Sequence, residues 1–140
     1  MDGLSAAASI IAVVDISAKV ASLCFQYSVA VKGAKNDITR LHTKVEDVKG
    51  ILEKIIKLLD GPGNARLPTT DTLSVPLKQF FEVLQRIKTD LEPGTARKTM
   101  KQFGFRALKW PYTSEGVEEM VARLEKCEQT FSLALQVEQT

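Results

Sequence analysis

The side chains that most often carry out catalysis or bind metals are sparse in this sequence. Its only histidine is His42, and its two cysteines, Cys24 and Cys127, are far apart and belong to no Cys-x-x-Cys pair. A catalytic triad needs a base beside its nucleophile, but His42 stands among charged neighbours, as surface and boundary residues do. Two cysteines and one histidine at this spacing are also too few for a zinc site. We therefore predict no metal, no cofactor and no catalytic residue.

Two further patterns resemble chemistry but have simpler explanations. Glu115, Glu118 and Glu119 stand where a helix begins, and carboxylates there are stabilised by the helix dipole. Paired carboxylates of the glycosidase type need a cleft and two different environments. The Gly-Pro-Gly turn at 61–63 lacks the Lys-Ser/Thr of a phosphate-binding loop and follows a helical pattern rather than a strand. We expect a binding protein and not an enzyme.

Cysteine usage and the first residues favour the cytoplasm. Two lone thiols inside apolar runs are most often reduced core residues, which favours a reducing compartment, although a single long-range disulfide stays open. The opening Met-Asp-Gly-Leu-Ser is acidic, whereas a secretory signal starts with a basic region.

Composition indicates one folded unit with an uneven distribution of charge. The 140 residues are 44% hydrophobic and 26% charged, which argues against disorder. The net charge of +2 is too mild for a dedicated nucleic-acid binder, and we predict no nucleic-acid partner. Residues 93–110 contain five cations and no acid, whereas 111–140 contain six glutamates and two cations.

Three segments carry apolar residues at alternating spacings of three and four, the pattern of amphipathic helices with a heptad seam. The seam of the second predicted helix is Ile38, Leu41, Val45, Val48, Leu52, Ile55 and Leu59. The seam of the third is Leu73, Leu77, Phe80, Leu84, Ile87 and Leu91. The seam of the last is Val117, Met120, Leu124, Cys127, Phe131 and Ala134. We expect these helices to begin at Asn36, at Ser74 with Pro76 in the first turn, and at Thr113 or Ser114.

The predicted first helix, from about Leu4 to about Val31, differs from the others. Its only charges are Asp15 and Lys19, and its apolar residues wrap most of the way round, which implies burial or membrane contact. We therefore predict an all-α, four-helix-bundle-like fold with this helix in or against the centre. Two interpretations stay open, namely a permanently buried helix and a helix that is released to lipid.

The basic segment is a second candidate for membrane contact. It contains Arg97, Lys98, Lys101, Arg106 and Lys109, interleaved with apolar and aromatic residues. Such a mixture suits an anionic membrane surface. A solvated loop that caps the bundle is the alternative, and the sequence leaves open whether about 95–110 is a short extra helix or a loop.

Several motifs also resemble a known family. They are Met-Asp-Gly-Leu-Ser at 1–5, Ala-Ser-Ile-Ile-Ala-Val-Val at 8–14, Leu-Lys-Trp-Pro at 108–111, Glu-Glu at 118–119, Leu-Glu-Lys at 124–126, Thr130, and Ser-Leu-Ala-Leu at 132–135. Together they resemble the HeLo-like N-terminal domain of fungal STAND (NOD-like receptor) proteins over nearly the whole chain. One departure is Gly3, where relatives often carry proline.

The resemblance implies a regulated cell-death or incompatibility effector of fungal innate immunity. Such domains are similar to the HeLo domain of heterokaryon-incompatibility toxins and to the four-helix bundle of the necroptosis executor. By this likeness, residues 1–140 form one domain, the N-terminal module of a longer protein with C-terminal nucleotide-binding or amyloid-signalling regions. Oligomerisation would move it from the cytoplasm to the plasma membrane, where it would bind anionic lipids and form pores. The matching membrane-inserting residues are Leu4, Ile10, Ile11, Val13 and Val14.

The alternative function is a non-enzymatic adaptor or oligomerisation module that pairs through its helical faces. The heptad seams favour it, although packing within one chain also accounts for them. A helical lipid carrier is a third possibility and would require an internal cavity.

Overall fold

A computed structural model describes residues 3–31, 33–59, 70–92 and 109–139 of the chain. Within these ranges there are four helices and no strand. They are α1 (Gly3–Ala30), α2 (Lys35–Leu59), α3 (Thr70–Leu91) and α4 (Ser114–Gln139). The predicted all-α fold is confirmed.

The four helices pack around one core, and α1 and α4 lie at opposite corners of the bundle. The principal contacts of α1 are with α2 and α3, and those of α4 are with the same two helices. The C-terminal ends of α1 and α3 meet, because the Tyr27 hydroxyl donates a hydrogen bond to the Leu91 carbonyl oxygen at 2.9 Å.

The predicted seams form this core. All six seam residues of α3 are buried, as are those of α2 from Ile38 to Ile55. The side chain of Leu59 lies outside the described residues. In α4 the whole seam is buried except Met120, which is half-buried. A spacing that alternates three and four therefore identifies the inward face of each of these helices.

Helix α1 lies against the centre of the bundle and not in it. Its inward face buries Ile10, Val13, Ile16, Ser17, Val20, Ala21, Cys24 and Tyr27. The Ser17 hydroxyl donates to the Val13 carbonyl oxygen at 2.8 Å, so this buried polar group is satisfied within its own helix. The described part of the opposite face is exposed, and its only charged residues are Asp15 and Lys19.

Two predicted helix starts are wrong and a third is confirmed. Helix α2 begins at Lys35, so Asn36 stands inside the first turn. Helix α3 begins at Thr70, ahead of Ser74, and Pro76 lies well inside it. The early start places Leu73 in the core at 1% exposure, and this apolar burial offsets the backbone hydrogen bond that proline removes.

Helix α4 has the cap that its sequence predicts. The Thr113 side-chain oxygen accepts a hydrogen bond from the Gly116 backbone N–H at 3.0 Å. This satisfies one of the donors that a helix start leaves free.

One inter-helix ion pair was not predicted. Lys44 Nζ of α2 lies 2.9 Å from Glu128 Oε1 of α4, and both side chains are half-buried. The hydrogen bond to Glu128 raises the pKa of Lys44 above its ordinary value, although burial opposes it. The pair links two helices far apart in sequence, which no local spacing can indicate.

An aromatic cluster joins the segment before α4 to α1 and α3. The Trp110 ring packs edge-on against Tyr27 at 5.7 Å and against Tyr112 at 5.2 Å between ring centroids. The Tyr112 hydroxyl donates to Asp90 Oδ2 at 2.8 Å. Burial raises the pKa of both tyrosines, so both hydroxyls stay donors at neutral pH.

We predict that Tyr27→Phe destabilises the protein by about 1 to 3 kcal/mol, because the buried Leu91 carbonyl oxygen loses its Tyr27 hydroxyl donor. Tyr112→Phe is the matched control, with an expected loss under about 1 kcal/mol, since the exposed Asp90 carboxylate binds water instead. Urea unfolding followed by circular dichroism measures both. Equal losses would show that the Tyr27 hydroxyl does not couple the ends of α1 and α3.

We also predict that the free energy of unfolding falls as the pH rises above about 9. Burial raises the pKa of the Cys24 thiol from 9.0 to about 12. Between these values the unfolded chain loses the thiol proton while the folded chain keeps it, which removes roughly 1.4 kcal/mol per pH unit. Below pH 9 the contribution is constant.

The measurement is the slope of unfolding free energy against pH from 9 to 10.5. Cys24→Ala is expected to reduce this slope, whatever its effect on absolute stability. Part of the slope remains, since burial also raises the pKa of Cys127, Tyr27 and Tyr112. An unchanged slope in Cys24→Ala would contradict the assignment.

Candidate functional site

The histidine and the two cysteines considered for catalysis or metal binding lie on three different helices. His42 is half-buried on α2, and its Nε2 atom is 3.8 Å from Glu46 Oε1, one turn away. Cys24 and Cys127 are both buried and form no disulfide, so the disulfide alternative is wrong. The described residues contain no group of three or more His, Cys, Asp or Glu that could hold a metal ion.

The most unusual surface of the described chain is the outward face of α1. Ile11, Phe25 and Val29 are exposed at 47%, 60% and 70%. Ala18 and Ser22 lie between them and are also exposed. We call these five residues the outer seam, because their positions follow heptad spacing. Large apolar side chains exposed along one stripe indicate a contact surface.

The outer seam carries one charge and has another beside it. Asp15 occupies the seam position between Ile11 and Ala18, and Lys19 lies on the flank. Both are exposed, and no ion pair joins these two described residues. From Ala18 to Val29 the seam is uncharged, so its C-terminal half is its most apolar part.

The five candidate insertion residues do not share one surface. Ile10 and Val13 are buried in the core at 1% and 4% exposure. Ile11 is exposed, and Val14 is half-buried against the core. The side chain of Leu4 lies outside the described residues. Ile10 and Val13 would reach lipid only if α1 left the bundle, whereas Ile11 already faces outward.

Of the five basic residues considered for membrane contact, the structure describes only the last one. Lys109 is exposed and non-helical, beside Trp110 of the aromatic cluster. Arg97, Lys98, Lys101 and Arg106 lie outside the described residues. The two alternatives for about 95–110, a short extra helix and a loop, therefore both stay open for the residues before Lys109.

Helix α1 is also long and apolar enough to cross a membrane. Ala8–Ala30 meets this test of length and composition, alone among the described helices, and 39% of its most apolar stretch is buried. Core helices of soluble proteins and signal sequences meet the same test. The test therefore agrees with both interpretations of the first helix.

Sequence reasoning missed Phe25 and Val29, the most exposed large apolar residues of α1. The signal was present, because Ile11, Ala18, Ser22, Phe25 and Val29 keep a heptad register of their own. An inner seam of the same period runs along the helix, however, and periodicity alone does not say which of two apolar seams faces the core.

Comparison with protein families gives a match over nearly the whole chain. The family described as "Pigment biosynthesis cluster protein PigL N-terminal" matches residues 1–139. This fungal family is related to HeLo-like domains. The match therefore agrees with the HeLo-like part of the resemblance and does not extend to STAND proteins. Searches of the curated proteins and of the solved structures give no match. Because the match covers all but the last residue, the chain belongs to the PigL N-terminal family of pigment biosynthesis cluster proteins.

Proposed function

We propose that this protein is a HeLo-like effector of the fungal STAND type, acting in regulated cell death or incompatibility. On oligomerisation it targets the plasma membrane and perturbs it through α1. The observation that carries this proposal is the outer seam, which exposes Ile11, Phe25 and Val29 on a helix long enough to span a bilayer.

The outer seam supports a first contact that leaves the bundle intact. Phe25 and Val29 are already exposed, so lipid would remove their apolar surface from water without unfolding. Such transfer is favourable by about 25 cal/mol per Å². An amphipathic surface of this kind lies in the interface between headgroups and acyl chains.

Deeper insertion would require α1 to leave the core. Ile10, Val13, Val20, Cys24 and Tyr27 are all nearly inaccessible to solvent, and exposing each large apolar side chain costs about 1.5 to 3 kcal/mol. This cost stabilises the closed conformation of the monomer in the cytoplasm. Oligomerisation, driven by C-terminal nucleotide-binding or amyloid-signalling regions of the full-length protein, would offset this energy.

Charge supports an anionic membrane as the target. Lys19 flanks the outer seam, and Lys109 is exposed before α4. The basic residues 97, 98, 101 and 106 would add to these, at about 1 kcal/mol for each cation near an anionic surface.

We predict that the double variant Phe25→Asp, Val29→Asp loses binding to phosphatidylserine vesicles at least tenfold. Two carboxylates on the outer seam would oppose both the apolar contact and the anionic surface. The measurement is vesicle co-sedimentation with dye leakage, on protein oligomerised through a fused dimeriser. Both residues are exposed, so the variant is expected to fold.

The matched control is Val75→Asp on α3, at 61% exposure. It repeats on a different helix the Val→Asp substitution made at Val29, and it is expected to bind vesicles within twofold of the unmodified protein. If oligomerised protein neither binds nor permeabilises anionic vesicles, or if Val75→Asp has the same effect as the α1 variant, the proposal fails.

A second function is favoured by the heptad register of the same surface. Small residues such as Ala18 and Ser22 between Phe25 and Ile11 allow a second helix to approach closely and pack in the manner of a coiled coil. In this function the protein is an adaptor or oligomerisation module, and its partner is another helix in place of lipid.

For this second function we predict concentration-dependent dimerisation without lipid, abolished by Phe25→Asp, Val29→Asp and unchanged by Val75→Asp. Analytical ultracentrifugation from 5 to 200 µM (roughly the range of weak helix pairing) measures it. A monomer throughout this range would exclude self-association through α1 and leave the membrane proposal in place.

A further inference from the structure

A groove runs between α3 and α4, on the side of α3 away from α1. It encloses about 500 Å³. We call it the α3–α4 groove, and its lining residues are Gln79, Glu82, Val83, Arg86, Met120, Arg123, Lys126 and Cys127.

The groove has an apolar floor. Val83 and Met120 are half-buried, and Cys127 is buried. The Cys127 Sγ atom is 3.9 Å from the Pro76 carbonyl oxygen, so the thiol is directed to α3. Burial also raises its pKa above the ordinary value of 9.0, so the thiol stays uncharged at alkaline as well as neutral pH.

The rim of the groove is basic. Arg86, Arg123 and Lys126 are all exposed, and Glu82 is the acid among the lining residues. None of the three cations forms an ion pair within the described part of the chain. By contrast, Lys44 and Lys88 lie about 3 Å from glutamate partners, at 2.9 and 3.0 Å.

The length of the groove corresponds to about two turns of a helix. On α3 its lining extends from Gln79 to Arg86, and on α4 from Met120 to Cys127. Each stretch corresponds to about 10 Å of helix, or two turns. A helix that docks into such a groove inserts apolar residues three and four positions apart, while flanking residues meet the rim.

We propose that the α3–α4 groove binds an acidic amphipathic helix of a partner protein. Apolar side chains of that helix contact Val83 and Met120, and its carboxylates pair with Arg86, Arg123 and Lys126. Unpaired rim cations attract such a ligand and select against neutral or basic ones. This binding is additional to the membrane contact and uses a different face of the bundle.

Other occupants fit the groove less well. Residues 93–108 of the same chain carry four cations and no acid, so the basic rim repels them. A bilayer surface is flat on this scale, and the floor lies recessed between two helices. A compact anion such as phosphate would pair with the rim and leave the apolar floor uncovered.

The test uses a library of fluorescent 16-residue acidic helical peptides, which display Leu, Ile, Phe or Met at positions three and four apart and Glu on the flanks. Fluorescence anisotropy measures affinity. We expect members of the library to bind at least tenfold more tightly than scrambled peptides of the same composition. We also expect their binding to shift the methyl resonances of Val83 and Met120.

The test variant is Arg123→Glu, Lys126→Glu, which is expected to weaken binding at least tenfold. Its matched control is Arg40→Glu, Lys54→Glu on α2, where both residues are exposed. The two variants change the net charge equally, so the control is expected to remain within threefold of the unmodified protein. Circular dichroism confirms that both variants are folded.

The proposal is overturned if no library member binds, if scrambled peptides bind equally well, or if both charge variants lose the same affinity. It is also overturned if inorganic phosphate, phosphatidylserine vesicles or a second copy of the chain occupies the groove in preference to the peptides. The variant Phe25→Asp, Val29→Asp is expected to bind peptide normally. Failure of the membrane proposal is therefore distinguishable from failure of this one.

Discussion

Each helix of a four-helix bundle turns one face toward its neighbours, and the opposite face meets the surroundings. In α2, α3 and α4 the outward face is mostly polar. One apolar seam of each helix packs in the core, and the polar side chains on the outward face are hydrated. Helix α1 is apolar on two faces, since Asp15 and Lys19 are its only charges. The bundle covers the face that includes Val20 and Cys24 and leaves Phe25 and Val29 exposed. This surplus of apolar surface on α1 underlies the proposed functions of the helix.

The exposed face and the buried face of α1 support two different steps in the membrane proposal. Contact through the outer seam leaves the inward packing intact, and the Tyr27 hydroxyl stays bonded to the Leu91 carbonyl oxygen. Insertion of Ile10 and Val13 would break that packing, so it needs an additional source of free energy. The chain belongs to the PigL N-terminal family, which is related to HeLo-like domains. The basic α3–α4 groove lies on another face, where a partner could bind without competing with lipid.

Much of the fold follows from local pattern. The buried seams of α2, α3 and α4 were predictable from the sequence, apart from Met120, which is half-buried, and Leu59, whose side chain lies outside the described residues. Apolar residues at every third or fourth position mark the inward face of each helix separately. Helix starts were less predictable. Pro76 argued for a late start of α3, yet Leu73 reaches the core and the helix begins at Thr70. At Thr113 the cap residue and the helix pattern agreed, and the prediction was confirmed.

The order of residues along the chain therefore establishes the helices, their inward seams and the scarcity of catalytic side chains, because these depend on neighbours within one or two turns. Only the packing decides which apolar face of α1 is covered, because both faces have the same heptad period. The covered face is the one that packs against α2 and α3. The Lys44–Glu128 pair, the cluster around Trp110 and the α3–α4 groove likewise join residues distant in sequence. Their positions depend on how whole helices pack, and that arrangement separates an apolar helix face from a basic groove on one small bundle.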